Sequence, residues 1–109
     1  MKKMGFMIGL KPDQITEYKR LHADVWPEIL QSLTNANISN YSIFLREPEN
    51  LLFSYWEYVG QNFEADMQIM ASLDITKKWW ELCMPCQQQL ASCKKTEWWA
   101  EMEQVFYHG

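Results

Sequence analysis

The residues best suited to chemistry lie in one segment, Tyr18 to Glu28, which reads Tyr-Lys-Arg-Leu-His-Ala-Asp-Val-Trp-Pro-Glu. His22 is the only histidine in the chain interior, because His108 is the penultimate residue. A histidine can both give and take a proton near neutral pH. Tyr18 and His22 are spaced i, i+4, so on a helix their side chains are neighbours on one face. The segment indicates acid–base chemistry on a small polar molecule, although a core tyrosine beside a hydrogen-bonded buried histidine fits the same spacing.

Three further aromatic residues are candidates for binding such a molecule. Trp79 and Trp80 are adjacent, so on a helix their indoles point about 100° apart, and one could pack in the core while the other faces a cavity. Indole faces bind the apolar C–H face of sugars through dispersion and exclusion of water. Tyr41 belongs to an inward-facing strand pattern and has a hydroxyl that needs a partner. On the pattern alone, packing in the core and at an interface also explains the two tryptophans, and a core tyrosine bonded to backbone also explains Tyr41.

The cysteines offer a weaker motif. Cys83-Met84-Pro85-Cys86 has C-x-P-C spacing, but a redox dithiol needs its first cysteine at a helix N-terminus, and here the motif follows a helix. A zinc site would need a fourth ligand, and no nearby histidine supplies one. The motif therefore predicts neither redox chemistry nor a metal site.

Length and composition exclude several classes of protein. The 109 residues suffice for one domain, residues 1–109. A net charge of −4 argues against nucleic acid as a partner, because phosphate contacts need clustered Lys and Arg. No apolar stretch approaches the roughly 20 residues that span a bilayer, and the apolar run Met4–Leu10 is too short for a signal peptide. Three cysteines, an odd count, favour a reducing compartment, so we expect a cytoplasmic protein.

Hydrophobic periodicity and turn residues predict alternating strands and helices. A helix capped by Asp13 is interrupted at Pro27, which ends it or restarts it at its own first position. A helix capped by Asp74 ends or kinks at Pro85. The remaining elements are four strands and one more helix, in the order Met4–Leu10, Ile38–Arg46, Leu51–Tyr58, helix Gln61–Leu73 and Trp98–Tyr107. The order predicts an α+β, ferredoxin-like βαββαβ fold.

Such a sheet carries helices on one face only, and its other face needs cover. The strand residues here are apolar or aromatic on both faces, and aromatic residues make up 15% of the chain. We therefore expect two sheets to pack face to face in a homodimer, since isologous dimers are the commonest assembly. The expected partners are a second copy of the chain and a small molecule.

Four separated blocks resemble the L-rhamnose mutarotases, small bacterial sugar-anomer isomerases. They are Tyr18-x-x-x-His22-x-x-x-Trp26-Pro27-Glu28, Asn40-Tyr41-Ser42-Ile43-Phe44-Leu45, Asn50-Leu51-Leu52-Phe53 and Trp79-Trp80, and the similarity continues to Met102–Tyr107. The resemblance implies a dimeric α+β barrel with a pocket between helices and sheet. It implies His22 as proton donor, sugar contacts from Tyr18, Tyr41, Trp79 and Trp80, and no cofactor or metal.

Two segments depart from the family. Ala23-Asp24-Val25 stands where the family more often has Asn-Pro-Ile, and the stretch from Cys83 to Trp99 differs in detail. Both segments could shape the pocket, so L-fucose or another 6-deoxyhexose remains an alternative to L-rhamnose.

Mutarotation opens the sugar ring to an aldehyde and closes it on the other carbonyl face. We expect His22 to handle the proton of the ring oxygen, while a water, a tyrosine hydroxyl or a backbone carbonyl relays the other proton. Two alternatives stay open. One is a haem-binding or cofactor-free oxygenase of the same fold, in which the first-helix histidine could be a ligand. The other is a non-catalytic sugar-binding module, which would bind a sugar without exchanging its anomers.

Overall fold

The computed structural model describes all 109 residues. Its strands are β1 (Lys2–Leu10), β2 (Ile38–Arg46), β3 (Leu51–Tyr58), β4 (Gln87–Gln88) and β5 (Ala100–Met102). Its helices are α1 (Ile15–Ala23), α2 (Pro27–Asn35), α3 (Phe63–Ser72) and α4 (Asp74–Cys83), with short 3-10 turns at Pro12–Gln14 and Met84–Cys86. The sheet order is β2-β3-β1-β4 and every pairing is antiparallel. This arrangement confirms the predicted ferredoxin-like α+β fold.

Strand β1 is the centre of the sheet. It pairs with β3 from Lys2 opposite Tyr58 to Gly9 opposite Leu51. Its other edge is shared by two short strands, because β4 pairs with Gly9 and Leu10 while β5 pairs with residues 5–7. The site described below therefore lies over a strand that is hydrogen-bonded on both edges.

The predicted last strand, Trp98–Tyr107, is wrong in its extent. Only Ala100–Met102 pairs with β1, and the residues after Met102 have no regular structure. A segment with alternating side chains becomes a strand only where its backbone finds a partner strand to hydrogen-bond. The glutamine pair of β4 was not predicted, because it has no apolar pattern and owes its strand conformation to the edge of β1.

The break between α1 and α2 is where the sequence predicts it. Helix α1 ends at Ala23 and α2 begins with Pro27 at its first position. Trp26 is extended, with φ −57° and ψ 135°, because the proline ring excludes the helical conformation from the residue before it. The chain therefore turns just after His22 and presents Trp26 to the interior.

Both predicted aspartate caps are wrong. Pro12 starts a 3-10 turn that contains Asp13, so the helix proper begins later and its N-cap is Gln14. Asp74 is the first residue of α4, because the extended residue Leu73 joins α3 to α4 directly. The one side-chain cap is Asn62, whose Oδ1 accepts a hydrogen bond from the Ala65 amide at 3.2 Å, so α3 begins at Phe63.

The core lies between the helices and one face of the sheet. Ile8 is fully buried at its centre and packs with residues of β3, α1, α2 and α4, among them Leu52, Leu21, Ile29 and Cys83. A second cluster surrounds the buried Trp56 at the other end of the sheet, where Met4, Ala36, Ile38 and Tyr58 are also buried. Burial of apolar surface on this face contributes most to holding the helices against the strands.

The other face of the sheet has no helix over it. Phe44 and Phe53 project from β2 and β3 with 59% and 37% of their surface exposed, and their rings stack at 6.1 Å. Phe53 and Met102 lie beside Gly5 on the same face. We call this surface the outer face. None of the four helices has the length and apolar character required to cross a bilayer.

Gly9 allows β4 to approach β1, and Gly9→Ala should weaken that pairing. A Cβ at this position would stand 2.7 Å from the Gln88 carbonyl oxygen, so one backbone must shift at a cost of about 1–3 kcal/mol. Gly5→Ala is the matched control, since its Cβ would meet only the flexible Met102 Cε at 3.4 Å. Urea unfolding should show a lower midpoint for Gly9→Ala than for Gly5→Ala, and equal midpoints would contradict this account.

Candidate active site

Four aromatic side chains meet where α1 bends into α2. Tyr18 and His22, one turn apart on α1, stack with ring centroids 4.1 Å apart. Trp79 of α4 presents its ring to His22 at 5.3 Å and to Trp26 at 5.1 Å, both edge to face. The structure therefore brings three of the predicted site residues into ring contact, and it adds Trp26 through the proline-induced turn.

The hydrogen bonding of His22 fixes its resting tautomer. Its Nδ1 lies 2.9 Å from the backbone carbonyl oxygen of Tyr18. A carbonyl can only accept, so Nδ1 donates and carries a proton. Burial lowers the pKa of His22, and the bond to the Tyr18 carbonyl only partly opposes that effect. In the neutral ring Nε2 therefore has a free lone pair, and it is the atom able to exchange a proton with a bound molecule.

Tyr18 is buried, and its hydroxyl has a polar partner. The side-chain amide of Gln87 in β4 donates from Nε2 to Tyr18 Oη at 3.2 Å. The Gln87 Oε1 in turn accepts from Trp98 Nε1 at 2.6 Å. Burial raises the pKa of Tyr18 strongly, although the bond from Gln87 opposes it. Tyr18 is therefore protonated at any physiological pH.

A β-bulge brings Tyr41 to the helix side of the sheet. Asn40 and Tyr41 of β2 together oppose Trp56 of β3, because the register shifts between Ser39 and Ser42. Asn40 takes a left-handed conformation, with φ 51°, which asparagine tolerates better than most residues. The extra residue reverses the alternation that follows it. Tyr41 therefore comes within 6.4 Å of the buried Trp56 ring, measured between centroids.

The hydroxyl of Tyr41 affects the pKa of Tyr18. Loss of hydration raises the pKa of Tyr41 to about 12, with a smaller contribution from the Cys83 thiol. Tyr41 and Cys83 also raise the pKa of Tyr18. Tyr41 keeps 40% of its surface exposed, and its ring contact is with Trp56. The bulge, which the sequence pattern did not reveal, produces this approach.

The tandem tryptophans of α4 point to different places. Trp79 is 8% exposed and packs against His22, whereas Trp80 is 39% exposed. Trp80 lines an open cleft of about 710 Å³ together with Lys11, Lys77, Glu81, Met84, Pro85, Gln87 and Trp98. None of the other four predicted site residues lines this cleft. Gln87 connects the two regions, since it lines the cleft and is bonded to Tyr18.

The cysteines take no part in this arrangement as reactive groups. Cys83 and Cys86 are buried and unpaired. Burial raises the pKa of Cys83 to about 12 and also raises that of Cys86, so both remain thiols. No group of three or more His, Cys, Asp or Glu side chains is placed to hold a metal ion. The chemistry available here is proton exchange at His22 beside hydroxyl groups and indoles.

Three residues of this region were not identified as site residues from the sequence. Trp26 lies within the Tyr18–Glu28 segment, and the proline after it predicts that the helix breaks there. That break is what brings Trp26 to Trp79. Gln87 and Trp98 had none, because their bonds to Tyr18 and to each other span 69 and 11 residues. Such contacts depend on how β4 and the following loop pack.

Known proteins resemble this chain in sequence and in fold. The family model described as L-rhamnose mutarotase matches residues 3–108. The L-rhamnose mutarotase of Oceanobacillus iheyensis is 38% identical over 85 residues, which are 78% of this chain and 79% of that protein. That of Mannheimia succiniciproducens is 33% identical over 98% of both chains.

A solved structure extends the similarity to three dimensions. The crystal structure of an L-rhamnose mutarotase from Formosa agariphila superposes with a TM-score of 0.78 and 28% identity, covering 100% of both chains. The match of the family model over nearly the whole chain and the two relatives above agree with it. The chain belongs to the L-rhamnose mutarotase family.

Proposed function

We propose that residues 1–109 form one domain that interconverts the α and β anomers of L-rhamnose, as an isomerase. The observation that carries this proposal is the His22 ring, whose Nδ1 is engaged and whose Nε2 is free, among aromatic side chains between helices and sheet. The names of the related proteins support the sugar. L-fucose or another 6-deoxyhexose is the alternative substrate, and the experiment below includes it.

In the proposed mechanism, His22 acts on the ring oxygen. Imidazolium Nε2 delivers its proton to that oxygen while the bond between the anomeric carbon and the ring oxygen breaks, and the anomeric hydroxyl loses its proton to a relay. The anomeric carbon becomes an aldehyde, rotates, and is attacked on its other face by the same hydroxyl. Nε2 then takes back the proton of the attacking hydroxyl, while the relay returns its proton to the new anomeric oxygen. One C–O bond breaks and re-forms, and nothing is oxidised or reduced, so the proposed reaction requires no cofactor.

The aromatic residues hold the sugar in this proposal. Tyr18 and Tyr41 supply hydroxyl groups, and Trp79 supplies an apolar face beside His22 for the C–H bonds and the methyl group of a 6-deoxy sugar. Trp80 supplies a second apolar face from the adjoining cleft, which Gln87 also lines. Apolar indole faces offer no hydrogen bond to the additional hydroxyl of a hexose such as glucose. An apolar pocket alone rejects such a hydroxyl only about 10²-fold.

Replacing His22 tests the proposal directly. Positioned proton transfer typically contributes about 10²–10⁴-fold, so His22→Ala should lose anomer exchange by about that factor. Saturation-transfer NMR on L-rhamnose, with L-fucose and D-glucose alongside, measures the exchange rate above the spontaneous one. His108→Ala is the matched control, because that histidine is exposed near the chain end. Full activity in His22→Ala would remove His22 from the mechanism.

The pH dependence tests which form of His22 reacts. Opening requires the proton on Nε2, and burial lowers the pKa of His22 below its ordinary 6.5. As pH rises through that lowered pKa the imidazolium form is lost, so the enzymatic rate constant should fall, with its midpoint below 6.5. Exchange rates between about pH 5 and 8, corrected for the spontaneous reaction, measure this. A rate constant that rises with pH would instead make His22 a base at the anomeric hydroxyl.

We also propose that the chain is a homodimer, a dimeric α+β barrel, packed through the outer face. Exposed apolar area on a sheet that lacks helices supports this, because an antiparallel sheet with apolar residues on both faces needs cover on both. Phe44, Phe53 and Met102 make the surface continuous across three strands. An isologous pair of outer faces would bury it.

Placing a charge on the outer face should separate the proposed dimer. Phe44→Glu would put a carboxylate in an apolar interface, so the variant should sediment as a monomer while the wild type sediments as a dimer. Leu30→Glu is the matched control, since Leu30 is 53% exposed on α2, on the helix side of the sheet. Analytical ultracentrifugation measures both. A wild-type monomer, or a Phe44→Glu dimer, would contradict this interface.

A cytoplasmic location is the last part of the proposal. The three cysteines are free thiols, and two of them are buried. An odd number of cysteines without a disulfide framework is typical of a reducing compartment.

A further inference from the structure

We infer that Gln87, whose amide is held in one orientation by a hydrogen bond from Trp98, positions Tyr18 as a hydrogen-bond donor to the sugar. The inference rests on the proposed function and deepens it, since it assigns a positioning role to two residues that the resemblance does not include. Both belong to the stretch from Cys83 to Trp99, which departs from the family pattern. Gln87 does not itself need to touch the reacting atoms.

The direction of the hydrogen bonds follows from the indole of Trp98. An indole N–H can only donate, so the Gln87 atom 2.6 Å from Trp98 Nε1 must be the carbonyl oxygen Oε1. The NH2 of the same amide must then point at Tyr18, where Nε2 lies 3.2 Å from Oη. The usual ambiguity between the two ends of a glutamine amide is thereby removed.

The bond from Gln87 determines where the hydroxyl hydrogen of Tyr18 can point. Tyr18 Oη accepts from Gln87, so its own hydrogen is left to donate elsewhere, and no protein group accepts it. A buried hydroxyl that lacks an acceptor favours any ligand oxygen placed before it. Sugar oxygens are such acceptors. Gln87 thus fixes the Tyr18 hydroxyl as a hydrogen-bond donor before the sugar binds.

The amide of Gln87 is held rigidly enough for this role. Gln87 is 5% exposed, and its backbone is paired with Leu10 in the short ladder between β4 and β1. Trp98 packs against the main core cluster. Neither end of the hydrogen-bonded chain can turn without breaking a buried polar contact.

Gln87→Glu reverses the direction of the hydrogen bond between residue 87 and the Tyr18 hydroxyl, with almost no change in the shape of the side chain. At about pH 8 a carboxylate that accepts from both neighbours is ionised, so the Tyr18 hydrogen would point at residue 87 and away from the sugar. A bond made to the bound sugar and to the transition state alike contributes to KM rather than kcat. KM for L-rhamnose should rise about tenfold, with kcat within about twofold of wild type. Gln88→Glu, the same change one residue on and exposed, should leave both constants unaltered.

Trp98→Phe provides a second test that introduces no buried charge. It keeps an aromatic ring but removes the N–H, which frees the Gln87 amide to turn, so KM should rise about threefold or more. Trp99→Phe is its matched control, because Trp99 packs against the same core cluster. Thermal unfolding of all four variants separates loss of folding from loss of positioning. Unchanged KM in both Gln87→Glu and Trp98→Phe, or a fall in kcat at constant KM, would overturn the inference.

Wild-type protein distinguishes this inference from the proposed function. If it exchanges anomers and Gln87→Glu does so with unchanged KM, the function stands and the role of Gln87 is wrong. If it exchanges no sugar, the proposed function fails, and calorimetric titration with L-rhamnose decides the inference. Binding that weakens about tenfold in Gln87→Glu would support it, whereas equal binding, or none to wild type, would overturn it.

Discussion

The organisation of this protein depends on an antiparallel sheet that its own helices cover on one side only. All four helices pack against one face, where Ile8 and its neighbours form the core. The cover creates a region between helices and sheet in which polar side chains lose contact with water, and Tyr18, His22 and Trp79 meet there. The outer face, with Phe44 and Phe53 exposed, is the apolar surface that remains.

Partial burial gives the candidate site its chemical character. Desolvation lowers the pKa of His22 and raises those of Tyr18 and Tyr41, so a neutral imidazole stands beside protonated phenols. His22 and Gln87 are each oriented by a partner that can bond in one direction only. The Tyr18 carbonyl accepts from His22, and the Trp98 indole donates to Gln87. The site is therefore pre-oriented by groups that do not react.

Sequence reasoning succeeded where the deciding interactions are local. The helix break at Pro27, the hairpin of β2 and β3, and the end of α4 before Pro85 all follow from proline geometry or short-range periodicity. It failed where a distant partner decides. Asp13 and Asp74 are acceptable caps by residue type, but adjacent turns begin the helices elsewhere. Strand β5 includes only the residues that pair with β1, and β4 is a strand only because it pairs with the end of β1.

The sequence by itself determined the order of the helices and of the other strands besides β4, the family, and the presence of Tyr18 and His22 on one helical face, because these depend on residue types at short spacing. The tertiary structure decided which way the chemistry-bearing groups point. It places a bulge at Asn40 that lets Ile38 and Tyr41 lie on the same inner face, sends Trp79 to the core and Trp80 to the cleft, and connects Gln87 to Tyr18 across 69 residues. Those outcomes depend on packing between elements distant in the chain, and periodicity carries no information about which of two faces a neighbouring element will cover.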